Sequence, residues 1–596
     1  MKPIILLILS LYISNSWAQE HKSIHQIQSE YYSPYNYPKE SDWNASAPPT
    51  YHPKKSGKEK ILNKITYGWN PYWMGTSYYN YDYNLLSDVA YFSYEVNAVT
   101  GEPDDIHYWK TTHIVDSAHH YGSRIHLTAT LFSNHETFFG NPAAVTTMID
   151  SIVSLVAYRN ADGINIDFEM VPGSQRDALT NFMQDLSTAL AAYSPDAQLS
   201  IALPAVDWSN SFDVSALASY TDYFIIMGYE YHWSESAYAG PGAPKNNGDL
   251  WSAIDLTRSV NTYLENEIPA EQLVLGLPYY GRDWPVSGNV VPALNEGTGN
   301  SIIYSDIIIN FSGNEKQWDS HSSSSYYAYT DGSQHRQCWF NDAESLGLIY
   351  DMVKMKNIGG IGIWALGYDG ANDELWNLLD EKFTHTANIR ESGQFSDMGG
   401  PEGNYFDNES YEFTIHPPEA ETIYLQFEYS EIEQGYDTLF IYNGIADDEH
   451  LLAELTGNNS PGQLTVPGNK ALFYFKSDGA TTDEGWVLEW RTNNTIHVPL
   501  VNEERQPNIK VFPNPFSNEL SFEIRTAKKE TVNIRITNSK GQPVYEKSEQ
   551  LFPGQQTYNL NFMKHSLPDG LYIMELISGK EQISKKSIKI CKETKF

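Results

Sequence analysis

The chain has 596 residues, too many for one compact core and enough for about three or four units. Its 39 basic side chains stand against 75 acidic ones, a formal charge of −36, which excludes the electrostatics of a nucleic-acid binder. Only two cysteines occur, Cys338 and Cys591, so disulfides do not organise the fold and a tetrahedral thiolate metal site cannot form.

In chain order, Met1-Lys2 precedes the apolar run Ile4–Ile13, and Ser16-Trp17-Ala18 stands before Gln19. A basic start, a short apolar stretch and small residues at the cleavage position predict a signal peptide over 1–18. The run is too short for a permanent anchor, and no other segment has spanning length, so the mature chain is expected without a transmembrane segment. Residues 19–58, rich in Tyr, Ser, Pro, His and Lys without a sustained period, predict a flexible leader. From 59 to 388 strand-like runs alternate with helix-length segments. The runs are Ile65–Trp69, Asp88–Tyr94, Arg124–Phe132, Gly163–Glu169, Gln198–Ala205, Tyr223–Tyr229, Leu273–Tyr279 and Gly360–Leu366. Amphipathic stretches such as Arg176–Ala192 and Asp342–Lys356 lie between them, and the pattern predicts a (β/α)8 TIM barrel. The long connection Pro285–Asn341 predicts a small insertion between strands seven and eight. Over 389–493, alternating strands at Thr422–Tyr429, Thr438–Tyr442, Ala471–Phe475 and Trp486–Trp490 predict a β-sandwich. A polar linker over 494–508 leads to a C-terminal β-sandwich over 509–596.

The fourth strand carries the chemistry. Ile164, Ile166 and Phe168 alternate with Asn165, Asp167 and Glu169, so one face is apolar and the other polar. In a barrel the polar face points inward, and at the C-terminal end of the strand that interior is the floor of a site. Asp167 and Glu169 have Cα atoms roughly 6–7 Å apart by strand rise. Two carboxylates in a partly desolvated cleft repel, and one is driven to keep its proton, as a general acid for glycosidic cleavage must. Asp162 lies on the opposite parity and is read as a structural hydrogen-bonding residue.

The segment Asp162-Gly-Ile-Asn-Ile-Asp-Phe-Glu169 resembles the signature of glycoside hydrolase family 18, which contains the chitinases. Met227-Gly-Tyr229-Glu230, Gly276-Leu-Pro278-Tyr-Tyr-Gly281 and Gly359-Gly-Ile-Gly-Ile-Trp364 are similar to three further elements of that family, in the same order. The resemblance implies a chitinase-like retaining hydrolase of β-1,4-linked N-acetylglucosamine glycans, acting endo or exo, in which the substrate's acetamido oxygen is the nucleophile. A peptidoglycan or glycoprotein N-acetylglucosaminidase and a non-catalytic glycan-binding protein on the same barrel are the alternatives. Carried over, Glu169 is the acid/base, Asp167 orients the acetamido group, Tyr229 hydrogen-bonds its carbonyl, and Trp364 is the floor under the sugar. No cofactor is implied for catalysis. Tyr67, Trp69, Trp208, Trp233 and Met227 are further substrate-binding candidates. Among Trp69, Tyr72, Trp73, Trp208, Trp233 and Trp284, which all follow strands, about half are expected to touch ligand. The family's middle aspartate is Asn165 here, expected to hydrogen-bond Asp167, and Glu230 stands where Asp is commoner. Both departures leave the substrate open between chitin and peptidoglycan.

Gly403-Asn-Tyr405, Tyr436-Asp437, Ile441-Tyr-Asn-Gly444 and Gly485-Trp-Val-Leu-Glu-Trp490 resemble a CUB domain. That resemblance makes Glu433, Asp437 and Asp478 candidate Ca²⁺ ligands, hard oxygen donors of the kind that ion takes. Val511-Phe-Pro-Asn-Pro515-Phe and Gly570-Leu-Tyr-Ile573 resemble the C-terminal sorting domain of Bacteroidetes type IX export. It implies a secreted or surface-attached protein that passes Sec and then the outer membrane, with the type IX machinery as partner.

Overall fold

The computed structural model describes residues 22–35, 37–45, 61–248, 250–251, 254–370 and 372–493, and in the last hundred residues 510–512, 519–526, 529–538, 542–551, 554–562, 570–578 and 581–590. The expected signal peptide 1–18, the expected linker 494–508 and the Pro513-Asn514-Pro515 run lie outside them. Among the described residues, no helix is long and apolar enough to cross a membrane.

Eight parallel strands close into a barrel: β1 (Ile65–Pro71), β2 (Asp88–Val96), β3 (Arg124–Leu131), β4 (Gly163–Phe168), β5 (Gln198–Pro204), β6 (Tyr223–Met227), β7 (Leu273–Pro278) and β8 (Gly360–Trp364). β1 pairs with both β8 and β2, which shuts the cylinder. Every strand lies where the alternating pattern predicts it. Helices Pro142–Arg159, Arg176–Tyr193 and Ala343–Met355 each bury one apolar stripe, and the last begins at Asp342, whose carboxylate accepts from the Ser345 N–H at 3.0 Å. The insertion begins slightly earlier than expected. Its five antiparallel strands start at Tyr280 and end at Phe340, with the helix Tyr304–Asn310 beside them.

The outward face of β4 explains why its inward face is fixed. Phe168 stacks on Phe182 of the helix Arg176–Tyr193, ring centroids 5.4 Å apart at 16°, and meets Phe138 edge-on at 5.8 Å. A one-residue slip would put these rings in the barrel and the carboxylates against helices, so the apolar packing dictates which way the acids point.

The leader expectation is corrected by the structure. Helix α1 (Ile24–Tyr32) and the 3-10 turn Glu40–Ala45 pack on the mouth of the barrel. Ser23 caps α1, its hydroxyl accepting from the Gln26 N–H at 3.1 Å. Tyr32 stacks on Trp73 (4.8 Å, 17°), and Trp43 donates from its indole to the Tyr108 hydroxyl at 3.0 Å. Pattern reading failed because α1 buries His25, Gln28 and Ser29 with a single aliphatic residue, Ile24, so no apolar stripe announces it.

The CUB-like region is a two-sheet sandwich. One sheet contains Ser392–Ser396, Gly485–Thr492 and Thr422–Ile432, the other Ser410–Ile415, Ala471–Lys476, Thr438–Asn443 and Leu451–Leu455. It shares one compact unit with the barrel. Between the two, Lys356 pairs with buried Glu409 at 2.9 Å, and Asn246 donates to the Met398 carbonyl at 2.5 Å. The C-terminal unit is a separate β structure of a three- and a four-stranded sheet around Phe522, Ile534, Ile536, Met574 and Leu576.

Replacing Phe168 by Ala removes the clamp on the outer face of β4. The expected loss is about 3–5 kcal/mol, read as a lower thermal midpoint of the barrel.

Candidate active site

β4 delivers Asn165 and Asp167 into the barrel fully buried, and Glu169 follows at the strand end, 5 % exposed, with its N–H donating to the Leu131 carbonyl at 3.0 Å. Burial raises the Glu169 carboxyl above its ordinary value, the neighbouring Asp167 charge adds to this, and His25 and Ser23 oppose it. Tyr229, just past β6, is held as a neutral phenol by burial and by the nearby Asp167, Glu169 and Glu230. Trp364 ends β8 and is fully buried.

The residue that brings these groups together is His25 of α1, which the sequence reading did not single out. Its Nδ1 lies 2.8 Å from Asp167 Oδ2 and 3.2 Å from Glu169 Oε1, and its Nε2 lies 2.7 Å from the Tyr229 hydroxyl. Its ring sits over Trp364, centroids 3.7 Å apart at 30°. Burial would lower its pKa, but the charges of Asp167 and Glu169 and its hydrogen bonds to them outweigh that and raise it to about 9. Protonated, the ring donates from both nitrogens. Two further residues beside it reach the same cluster. The Ser23 hydroxyl donates to Glu169 Oε1 at 2.9 Å, and Gln28 Oε1 accepts from the Trp364 indole and the Tyr368 hydroxyl, both at 3.0 Å. The signal was a polar one: Ser23 is the cap of the helix, and His25 and Gln28 stand three residues apart on one face of it, a spacing that an apolar-period search passes over.

The other candidates divide. Asn165 does not bond Asp167 as expected. Its amide donates to Ser200 Oγ at 2.9 Å, and its carbonyl accepts from the Trp69 indole at 2.9 Å and from Thr128 at 3.3 Å. Thr128 and Ser200 sit in the two strands flanking β4 and Trp69 reaches across from β1, which holds the amide away from Asp167, and Asp167 Oδ1 is left buried without a hydrogen bond. Trp69 and Tyr67 are fully buried in the barrel interior, so they support the floor of the cleft from beneath. Tyr72 and Trp73 lie under the leader, and Trp284 is buried in the core of the insertion, which removes it from the mouth. Trp208, 79 % exposed, lines a cavity of about 520 Å³ together with Trp233, Met227, Glu169, Tyr229 and Glu230. Glu230 is fixed by Arg282, whose Nη2 lies 2.7 Å from both carboxylate oxygens, and by the Tyr280 hydroxyl donating at 2.9 Å. Arg282 and Tyr280 follow β7 and were not foreseen. Asp162 accepts from the Ile125 N–H at 2.8 Å, a structural role outside the cleft.

In the CUB-like region Glu433, Asp437 and Asp478 converge, with one oxygen of each within 4.8 Å of the others. Asp437 accepts from the Tyr405 hydroxyl at 2.6 Å and from the Asp478 N–H at 2.7 Å, while Glu433 Oε2 is buried with no hydrogen bond. An all-oxygen set with an orphaned carboxylate oxygen fits a hard divalent cation.

A closed parallel barrel with a carboxylate pair at the end of its fourth strand is the architecture of a barrel glycoside hydrolase. The family is specific: residues 128–369 match the model of glycosyl hydrolases family 18, followed by a CUB domain over 385–490 and a secretion system C-terminal sorting domain over 510–590. The chain therefore carries a family 18 glycoside hydrolase domain. It is 27 % identical over 234 residues to the cortical fragment-lytic enzyme of Bacillus subtilis, a match covering 37 % of this chain and 49 % of that protein. It is 26 % identical over 279 residues to human di-N-acetylchitobiase, covering 41 % and 69 %. The chain thus spans about half the length of the first relative and about two thirds of the second. Among solved structures, the family 18 chitinase from Cycas revoluta in complex with (GlcNAc)3 is similar at 19 % identity and a TM-score of 0.48, covering 53 % of this chain and 99 % of that one.

Arg282→Ala would leave Glu230 charged and nearly buried. Breaking such a pair costs about 3–5 kcal/mol, and the additional change Glu230→Gln should restore part of the lost thermal midpoint, which a double-mutant comparison measures.

Proposed function

We propose that the barrel is a retaining hydrolase of β-1,4-linked N-acetylglucosamine glycans that works with the substrate's own acetamido group. The observation that carries this reading is the single cluster of Asp167, Glu169, Tyr229 and Trp364 at the barrel mouth. Glu169, raised by burial and by Asp167, retains the proton that a leaving glycosidic oxygen needs. As that proton transfers and the C1–O bond breaks, the acetamido carbonyl oxygen bonds to C1 and gives an oxazolinium ion. Asp167 faces the acetamido N–H and balances the positive charge, and the Tyr229 hydroxyl donates to the acetamido oxygen and aims it. Water then adds to C1, giving its proton to the Glu169 carboxylate and opening the ring. Each proton has a residue to hold it, so the cycle uses side chains and substrate alone. The buried amide of Asn165 takes no proton, which leaves Glu169 as the sole protein acid/base.

The same acetamido chemistry serves chitin and peptidoglycan. Relatives described as a cortical fragment-lytic enzyme and as a di-N-acetylchitobiase support both substrate classes. Trp208 and Trp233 beside the carboxylates are the aromatic surfaces on which sugar rings would stack. A silent binding protein has no need of a buried acid with a raised pKa, and on that ground the hydrolytic reading is preferred. The sorting domain supports export by a type IX route to the cell surface or medium.

Glu169→Gln should lower kcat by about 10²–10⁴-fold on N-acetylglucosamine oligosaccharides while binding persists. The wild-type rate should fall on the alkaline side as Glu169 loses its proton, the early products should be β-anomers, and oligosaccharides lacking the 2-acetamido group should not be cleaved. Parallel assays on chitin and peptidoglycan decide the substrate.

For the CUB-like region, Ca²⁺ at about 100 times its dissociation constant would add about 2.7 kcal/mol of stability. Differential scanning calorimetry should show the rise in wild type and none in Asp437→Asn.

A further inference from the structure

We infer that helix α1 is an intramolecular occupant of the substrate cleft, and that the protein is latent until this helix leaves. The inference rests on the reading of the Asp167–Glu169–Tyr229–Trp364 cluster as the sugar site.

Three side chains of the N-terminal segment touch that cluster, and each takes a contact that a sugar would need. His25 bridges Asp167 and Tyr229 through its two ring nitrogens, at 2.8 and 2.7 Å, the two groups that would grip the acetamido function. Its flat ring rests on Trp364 at 3.7 Å, in the place of a sugar face. The Ser23 hydroxyl stands 2.9 Å from Glu169 Oε1, where the glycosidic oxygen would receive its proton. Gln28 engages the indole N–H of Trp364. His25 is fully buried, so helix and sugar cannot share the place.

The helix is built for this surface. A helix serving only as a structural cap would present an apolar stripe. This one turns Ser23, His25 and Gln28 to the cleft, while the Lys22–Glu30 pair and the Gln26–Glu30 hydrogen bond lie on its exposed side. Its polar stripe complements a buried acidic pair, because a protonated imidazole supplies the positive charge that two desolvated carboxylates lack. The cleft also continues on both sides of the helix. Ser23 and Ile24 border the cavity of about 520 Å³, and Gln26, Ser29, Glu30 and Ser33 border a second of about 630 Å³ against the β2 and β3 ends. The segment therefore crosses a longer groove at the catalytic position. Beyond the cleft, Tyr32 on Trp73 and Trp43 against Tyr72 hold the segment by aromatic contacts that do not involve the carboxylates.

Docking depends on pH with a definite sign. The charged or titratable groups facing His25 are Asp167 and Glu169 from β4 and Tyr229 after β6; Trp69, Phe92 and Trp364 complete its surroundings. The His25 pKa is raised from 6.5 to about 9 in the docked state, so its contribution to docking is full below the free value and is lost as pH rises through about 9.

The test uses the full chain with His25→Ala and, separately, Gln28→Ala, assayed on an N-acetylglucosamine tetrasaccharide. Hydrolysis is followed directly, and affinity is measured by calorimetry over the first turnover-free minutes at low temperature. His25→Ala should raise kcat/KM at least tenfold, and a peptide spanning residues 22–35 added in trans should lower it again. The ratio of variant to wild-type rate should shrink between pH 6.5 and 9. A merely structural helix predicts the reverse, lower stability and an equal or lower rate. An unchanged rate together with unchanged tetrasaccharide affinity overturns the inference. If neither protein cleaves any glycan but the variant binds the tetrasaccharide at least tenfold more tightly, occlusion stands and the hydrolytic reading falls. Should His25→Ala fail to fold, Gln28→Ala decides by the same two measurements.

Discussion

Two carboxylates on alternate residues of one strand, both withdrawn from water, need something positive, protic or covalent-like nearby before the barrel can close around them. The surrounding structure is arranged around that demand. β4 is oriented by Phe168 on its outer face, so Asp167 and Glu169 have no route to solvent through a register change. Tyr229 and Trp364 come from the ends of β6 and β8, and Ser23 and His25 come from the N-terminal segment. In the proposed cycle that demand would pass from group to group: a proton on Glu169, the acetamido N–H and the developing oxazolinium charge would be successive answers to it. In the structure the imidazole of His25 meets it.

A second charged arrangement limits the first. Glu230 lines the same cavity, and its clamping by Arg282 and Tyr280 keeps its charge out of the Asp167–Glu169 pair. Unclamped, a third carboxylate would drive the cluster further towards protonation. The barrel thus separates its acids by giving each its own partner, and the long Glu side chain at 230 reaches the arginine on the strand that follows β7.

Much of this was legible in the chain because it follows from periodicity. All eight barrel strands alternate or run apolar in the manner that parallel strands require, and the parity of Asp167 and Glu169 against Ile166 and Phe168 was sufficient to aim them inward. The parts that were not legible depend on which polar atom finds which partner. Asn165 could have faced Asp167 by position, but Thr128 and Ser200 in the adjoining strands, and Trp69 from across the barrel, claim its amide. Trp284 follows a strand as Trp208 does, yet one is core and the other surface, a distinction made by the insertion folding over the first. Helix α1 was missed for the same reason. Its buried face is polar, and a polar face becomes readable only once its complement is known.

The joint between the barrel and the CUB-like sandwich has a mechanical meaning. Lys356 meets Glu409 in a nearly buried pair, Lys245 is buried beside the Met398 carbonyl, and Asn246 bonds the same carbonyl. Such contacts make a weld where a flexible tether would make a leash. Anything that settles on the sandwich is then presented to the cleft at one distance and one angle, and the local concentration it creates is set by solid geometry instead of by chain length. On an insoluble, ordered polymer that difference matters, because a welded pair can meet only those stretches whose lattice matches its own spacing.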